Sequence, residues 1–150
     1  MKTLFIALSS LLIFTVSQAQ TFTNYTDAEG LANNGVNCLD VASGDVMWFG
    51  TQAGVSVFDG TTWTTHSTST DAGFVSDVVL AIKVMANGDV WIGSDFGAAL
   101  YDGTSWITYT ETEGLGDDRI KTIYELANGD VAFGTNDGYS TFDGTTWTSL

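Results

Sequence analysis

The chain has 150 residues, with 18 acidic side chains against four basic ones and a formal net charge of -14. A surface of this sign repels phosphate backbones, which argues against nucleic acid as a partner; it suits an exported soluble protein or one that attracts cations. Five Trp, five Tyr and nine Phe, with 17 Gly and no Pro, exclude disorder and point to packed β-structure with many turns.

Met1 and Lys2 lead into an apolar run from Leu4 to Val16, and Ser17-Gln18-Ala19 places small residues where a signal peptidase reads. Residues 1–19 are therefore read as a signal peptide cleaved after Ala19, leaving a secreted or periplasmic chain. The run is short for a transmembrane helix and no second one follows, so no membrane span is expected in the mature chain. No cysteine stands at the cleavage point to carry a lipid anchor. Beyond it, Lys83, Arg119 and Lys121 are the basic residues that face the 18 acidic ones. Cys38 is the single cysteine, so no internal disulfide is available, and its spacing matches no metal motif.

The remainder repeats. Asp59, Asp102 and Asp143 are 43 and 41 residues apart, and Trp63, Trp106 and Trp147 keep that spacing. So do Gly50, Gly93 and Gly134, and Gly54, Gly97 and Gly138. "GDVMWFG" carries one residue more than "GDVWIG" and "GDVAFG", which predicts a bulge or adjusted turn at Met47. Within the second repeat, "VVLAIKVMA", "VWIGS", "AALYD" and "WITYT" read as strands. They are cut by "NGD", "DFG" and "GTS". Runs of this length and composition, punctuated by Asn-Gly and Asp-Gly, are antiparallel hairpins. Four strands per repeat is the size of one β-propeller blade. The expected fold is all-β: three four-stranded antiparallel blades at about 34–67, 77–110 and 118–150, within a partial propeller spanning 20–150.

The residues "GLGDDRIKTIYELANGDVAFGTNDGYSTFDGTTWT" resemble the two-component regulator propeller repeat. The pattern's core appears as "GDVMWFGT", "GDVWIGS" and "GDVAFGT", and its end as "FDG", "YDG" and "FDG". The likeness covers residues 22–150; Ala132 departs from it where Trp48 and Trp91 keep the pattern's tryptophan. The resemblance implies an extracytoplasmic sensing propeller of hybrid two-component regulators, with a glycan or other small molecule as ligand.

Residues 22–26, "FTNYT", align with "WITYT" and are expected to form one extra N-terminal strand. Three blades and a spare strand leave apolar sheet faces open, against a usual four to eight blades. Further blades of a longer propeller would cover them, as would a second copy in a six-bladed ring; the spare strand favours further blades.

Residues kept in every repeat are read as scaffold, and function is sought where repeats differ on a shared face. The turns between second and third strands vary at Gln52, Asp95, Phe96, Asn136 and Asp137; the loops between blades align Asn34, Asp77 and Asp118. This polar rim with one aromatic suits a sugar or a cation. His66 is the only histidine and aligns with Tyr25 and Tyr109, so it replaces a scaffold residue and lacks partners for a triad or a metal site. No catalytic residue, metal or cofactor is assigned. The expected function is an exported ligand-binding sensor without catalysis. The alternative is a structural or adhesive module of a surface protein, and a propeller lyase or hydrolase ranks below both.

Overall fold

A computed structural model describes residues 23–150, so the expected signal peptide and Phe22 lie outside the described residues. Twelve strands form three four-stranded antiparallel sheets, each in sequential order. The first holds β1 (Val36–Val41), β2 (Met47–Thr51), β3 (Gly54–Phe58) and β4 (Trp63–His66). The second holds β5 (Val79–Val84), β6 (Val90–Ser94), β7 (Gly97–Tyr101) and β8 (Trp106–Tyr109), and the third β9 (Ile120–Glu125), β10 (Val131–Thr135), β11 (Tyr139–Phe142) and β12 (Trp147–Ser149). These are three propeller blades.

The turns explain why the strands end where they do. Asp59 accepts from the N–H groups of Thr61 and Thr62 at 2.8 and 2.7 Å, and Asp102 and Asp143 repeat the arrangement with the residues two and three positions on. The repeated aspartate is thus an acceptor that closes the β3–β4 type of turn.

Two expectations about the first blade need adjusting. Of the bulge and the adjusted turn expected at Met47, the turn is found, as a short 3-10 turn at Ser43–Asp45 just ahead of it. The five residues between Val41 and Met47 match the five between Val84 and Val90 and between Glu125 and Val131, so no residue is inserted at Met47. The Gly-Asp pair is displaced by one position instead. Asp45, with φ of 60°, occupies the place of Gly88 and Gly129, whose φ values are 97° and 91°. The real bulges lie on the innermost strands, where the register skips Asn37, Leu80 and Lys121. The second concerns the N-terminal strand expected at 22–26: residues 23–26 form no ladder, and among the described residues no strand pairs with them.

The two hydrophobic cores lie between blades. One unites Trp48 and Val55 of the first blade with Val79, Ile82, Val84 and Ile92 of the second. The other unites Ala81, Trp91 and Ala98 of the second with Ile120, Ile123 and Phe133 of the third. Trp91 meets Phe133 and Phe142 edge-on, with ring centroids 5.0 and 5.7 Å apart. Gly50 and Gly93 permit this approach: a Cβ on Gly50 would lie 2.7 Å from Val79 Cγ1, and one on Gly93 would lie 2.7 Å from Ile120 Cβ. Asn37 crosses the first seam as well, donating to the Val79 carbonyl at 2.9 Å.

An outer aromatic column completes each seam. His66 lies 5.3 Å from Tyr101 and 5.5 Å from Trp106 of the second blade. Tyr109 lies 5.3 Å from Phe142 and 5.6 Å from Trp147 of the third. Tyr25 does the same to the first blade, 5.2 Å from Phe58 and 5.7 Å from Trp63. The segment that forms no strand still supplies its side chain to the column.

Candidate functional site

Antiparallel topology puts the β2–β3, β6–β7 and β10–β11 turns at one end of the blades, beside the loops between blades. Each turn has the same frame. The hydroxyls of Thr51, Ser94 and Thr135 donate to the carbonyls of Gly54, Gly97 and Gly138 at 2.8, 3.0 and 3.1 Å. They also accept from the N–H groups of Ala53, Phe96 and Asp137. The varying residues therefore stand on a fixed base.

The loops between blades are tied down by the aligned polar column. Asn34 exchanges two hydrogen bonds with Asp27, at 2.9 and 3.0 Å. Asp77 accepts from the N–H and hydroxyl of Thr68 at 2.7 and 2.9 Å, and Asp118 accepts from the Glu111 N–H at 2.7 Å. The carbonyls of Asp77 and Asp118 receive the N–H groups of Gly54 and Gly97, which fastens each loop to the turn of the blade before it. These side chains act on their own loops. Leu31, Phe74 and Leu115 follow each loop's glycine and are buried below.

Two of the turn residues, Asp95 and Asn136, meet at Arg119, which leads into the third blade. Asp95 Oδ1 lies 2.8 Å from Arg119 Nε, and both side chains remain partly exposed. Asn136 donates its N–H to the Arg119 carbonyl at 3.0 Å and accepts from Lys121 Nζ at 3.0 Å. Phe96 is 67% exposed at the tip beside Asp95. Gln52 stands over Gly35 on the first blade, and Asp137 contributes its N–H to the Thr135 hydroxyl. The sequence reading missed Arg119 and Lys121. Their signal was their scarcity, since they are two of the three basic residues beyond the expected signal peptide.

At the opposite end a cavity of about 380 Å³ opens beside the inner strands, lined by Val41, Ser43, Lys83, Met85 and Glu125 among others. Asp40 accepts from Lys83 Nζ at 3.1 Å, from the Val84 N–H at 2.8 Å and from the Val41 N–H at 2.9 Å. Burial works against its charge, but these hydrogen bonds outweigh burial and hold the carboxyl below its ordinary range. Glu125 is engaged too, accepting from the Ala86 N–H at 3.1 Å. A second cavity of about 230 Å³, walled in part by Trp91, Tyr109 and Phe142, lies on the seam between the second and third blades.

His66 sits in the first seam, with Nδ1 2.9 Å from Asp71 and 3.4 Å from Trp106 Nε1. Its ring stacks 6.0 Å from that of Trp48. These contacts are those of a packed joint. Among the described residues, no group of three His, Cys, Asp or Glu side chains is arranged to hold a metal ion. No helix among them is long and apolar enough to cross a membrane.

No protein-family model matches the chain, and neither does any curated protein sequence. Solved structures do match. The extracellular domain assigned to the hybrid two component system BT3049 from B. thetaiotaomicron superposes with a TM-score of 0.67 at 22% identity, over 77% of this chain and 17% of that one. The extracellular domain assigned to the one component system BT4673 from the same organism gives 0.65 at 18% identity, over 80% and 19%. The chain thus spans about a fifth of the length of the solved chains it matches. Its blades share the fold of the matched part of these extracellular domains, in agreement with the propeller repeat its sequence resembles.

Proposed function

We propose that this chain is the non-catalytic, ligand-sensing part of an exported propeller, of the kind that forms the extracellular region of two-component regulators. The observation that carries the reading is the superposition on two such extracellular domains at TM-scores of 0.67 and 0.65. The turn end of the second and third blades supports it with suitable chemistry. An exposed ring at Phe96 can stack on the apolar face of a sugar, while the Asp95–Arg119 pair and Asn136 offer donors and acceptors for its hydroxyls. The ligand class proposed is therefore a glycan, held by Asp95, Phe96, Arg119 and Asn136.

The test is a thermal-shift screen of the secreted chain against a panel of oligosaccharides, followed by calorimetry on any that raise Tm. At least one sugar should raise Tm, Phe96→Ala and Arg119→Ala should each remove the effect, and the sugar should be recovered intact. Binding that survives both substitutions would displace the site. A cleaved sugar would establish catalysis. A panel without effect would favour the structural or adhesive role.

A further inference from the structure

The two seams are built from equivalent positions, yet they differ at the end opposite the proposed glycan site. At the first seam Val46 packs against the core, and the Tyr101 hydroxyl donates to the Gly103 carbonyl at 3.0 Å. The equivalents at the second seam are Asp89 and Phe142. A carboxylate thus replaces an apolar cover, and the Gly144 carbonyl lacks the hydroxyl donor that Gly103 has. The cavity of about 230 Å³ lies here, with Asp89, Asp143 and Gly144 on its polar side and Trp91, Tyr109 and Phe142 on its aromatic side. We propose that it binds a small alkylammonium cation, whose N–H groups donate to Asp89, Asp143 and the Gly144 carbonyl while its alkyl chain lies on the three rings.

The charges on the cavity set the sign of the ligand. No basic residue lines it. Lys83 is paired with Asp40 and Arg119 with Asp95, and Lys121 donates to Asn136. Each carboxylate keeps an oxygen for a ligand. Asp89 accepts from the Asn87 amide on Oδ2, at 2.7 Å, which leaves Oδ1. The bonds that Asp143 accepts from Thr145 and Thr146 all end on Oδ1. Its equivalents Asp59 and Asp102 use Oδ2 as well, for the hydroxyls of Thr62 and Ser105. The Thr146 hydroxyl turns to that of Thr145 instead, at 3.4 Å. The Thr146 N–H and the Thr145 hydroxyl hold the Asp143 carboxyl below its ordinary range, so it carries its charge at neutral pH.

The rings set its shape. Trp91 lies 5.3 Å from Tyr109 and 5.7 Å from Phe142, and Tyr109 lies 5.3 Å from Phe142, between ring centroids. The three hold one another in place, so the aromatic side is formed before any ligand arrives. Aromatic faces attract a cation and the methylenes next to it. The free groups on the polar side are acceptors, which an ammonium with N–H bonds can use and a quaternary ammonium cannot. The volume is below the roughly 300 Å³ at which sites for drug-sized ligands begin, so the cavity takes a small amine and not an oligosaccharide.

The test is calorimetric titration of the secreted chain with butylammonium chloride, set against sodium chloride, tetramethylammonium chloride and butan-1-ol at matched ionic strength. Butylammonium should bind saturably and roughly tenfold or more tighter than the other three. Asp89→Val and Phe142→Tyr each install the residue of the first seam, and each should weaken that binding roughly tenfold or more. Asp89→Asn stands in if Asp89→Val does not fold, since it removes the charge and keeps the backbone N–H bond to Asn87 Oδ1. Absence of saturable binding would overturn the proposal. Equal binding of butan-1-ol would remove the role of charge, and equal binding of tetramethylammonium that of the N–H donors; either result overturns it. An affinity unchanged in folded Asp89→Asn and Phe142→Tyr would put the amine elsewhere and overturn it as well.

Discussion

Val79 of the second blade rests on the Cα of Gly50 in the first, where a Cβ would stand 2.7 Å from its Cγ1. Ile120 covers Gly93 in the same way, whereas the added Cβ at Gly134 meets only the Thr122 side chain of its own sheet. Gly93→Ala should therefore cost about 1–3 kcal/mol through overpacking. Gly134→Ala should cost less than about 1 kcal/mol, because Thr122 is exposed and free to move. Urea midpoints of the two variants check the contrast; equal losses would mean that the glycines serve the backbone of their own strands.

Asp45 is the one non-glycine residue with positive φ among the described residues. Asp45→Gly removes a left-handed strain worth about 1–2 kcal/mol and gives back about 0.4–1 kcal/mol by loosening the unfolded chain. A net gain of roughly 0.5 kcal/mol is expected from these two terms. Glycine at the equivalent positions of the other blades, Gly88 and Gly129, sets the precedent. Thermal melts of parent and variant measure the difference, and a loss of stability would show that the Asp45 side chain has a partner outside its turn.

Acid should unfold the chain from a predictable pH. Asp102 is held at about 2 by the Thr104 hydroxyl and the Ser105 and Thr104 N–H groups. Asp59 and Asp143 are lowered by the equivalent donors. Glu29 and Glu113 are lowered by the hydroxyl and N–H of Thr26 and Thr110. Each carboxyl is depressed on folding, so its contribution is complete above the unfolded value near 4 and is lost as pH falls through the folded one. Tm should be nearly flat from pH 7 to about 5 and fall between about 4 and 2. Asp102→Asn should lower Tm at pH 7 and flatten that fall.

Cys38 lies against Gly50 in the first seam, and burial pushes its thiol up to about 11 despite a hydrogen bond from the Gly50 backbone. At pH 8 the folded chain should react slowly with Ellman's reagent and quickly once unfolded in urea. Fast reaction of the folded chain would mean that the first seam opens readily.

The blades were legible because their causes are local and repeated: short β-prone runs, Asp-Gly turns and a spacing that recurs. The displaced Gly-Asp pair shows the limit of matching letters. The loop length is fixed by the ladder, and Asp45 simply occupies a glycine's place within it. Aligned columns also reveal equivalence without revealing what a side chain touches. Asn34, Asp77 and Asp118 were aligned correctly, yet their bonds run back into their own loops. The Asp95–Arg119 pair spans two blades, and only the approach of one sheet to the next brings it about.

Because each core is shared between neighbours, no blade carries a complete interior of its own. One of these repeats brings half of a core on each side: a tryptophan to give and an aliphatic bed to receive one. Such a unit can be copied or deleted whole without redesigning any contact, as long as its neighbours keep the same two halves. Ala132 stands where Trp48 and Trp91 stand, so the third blade brings no tryptophan to give.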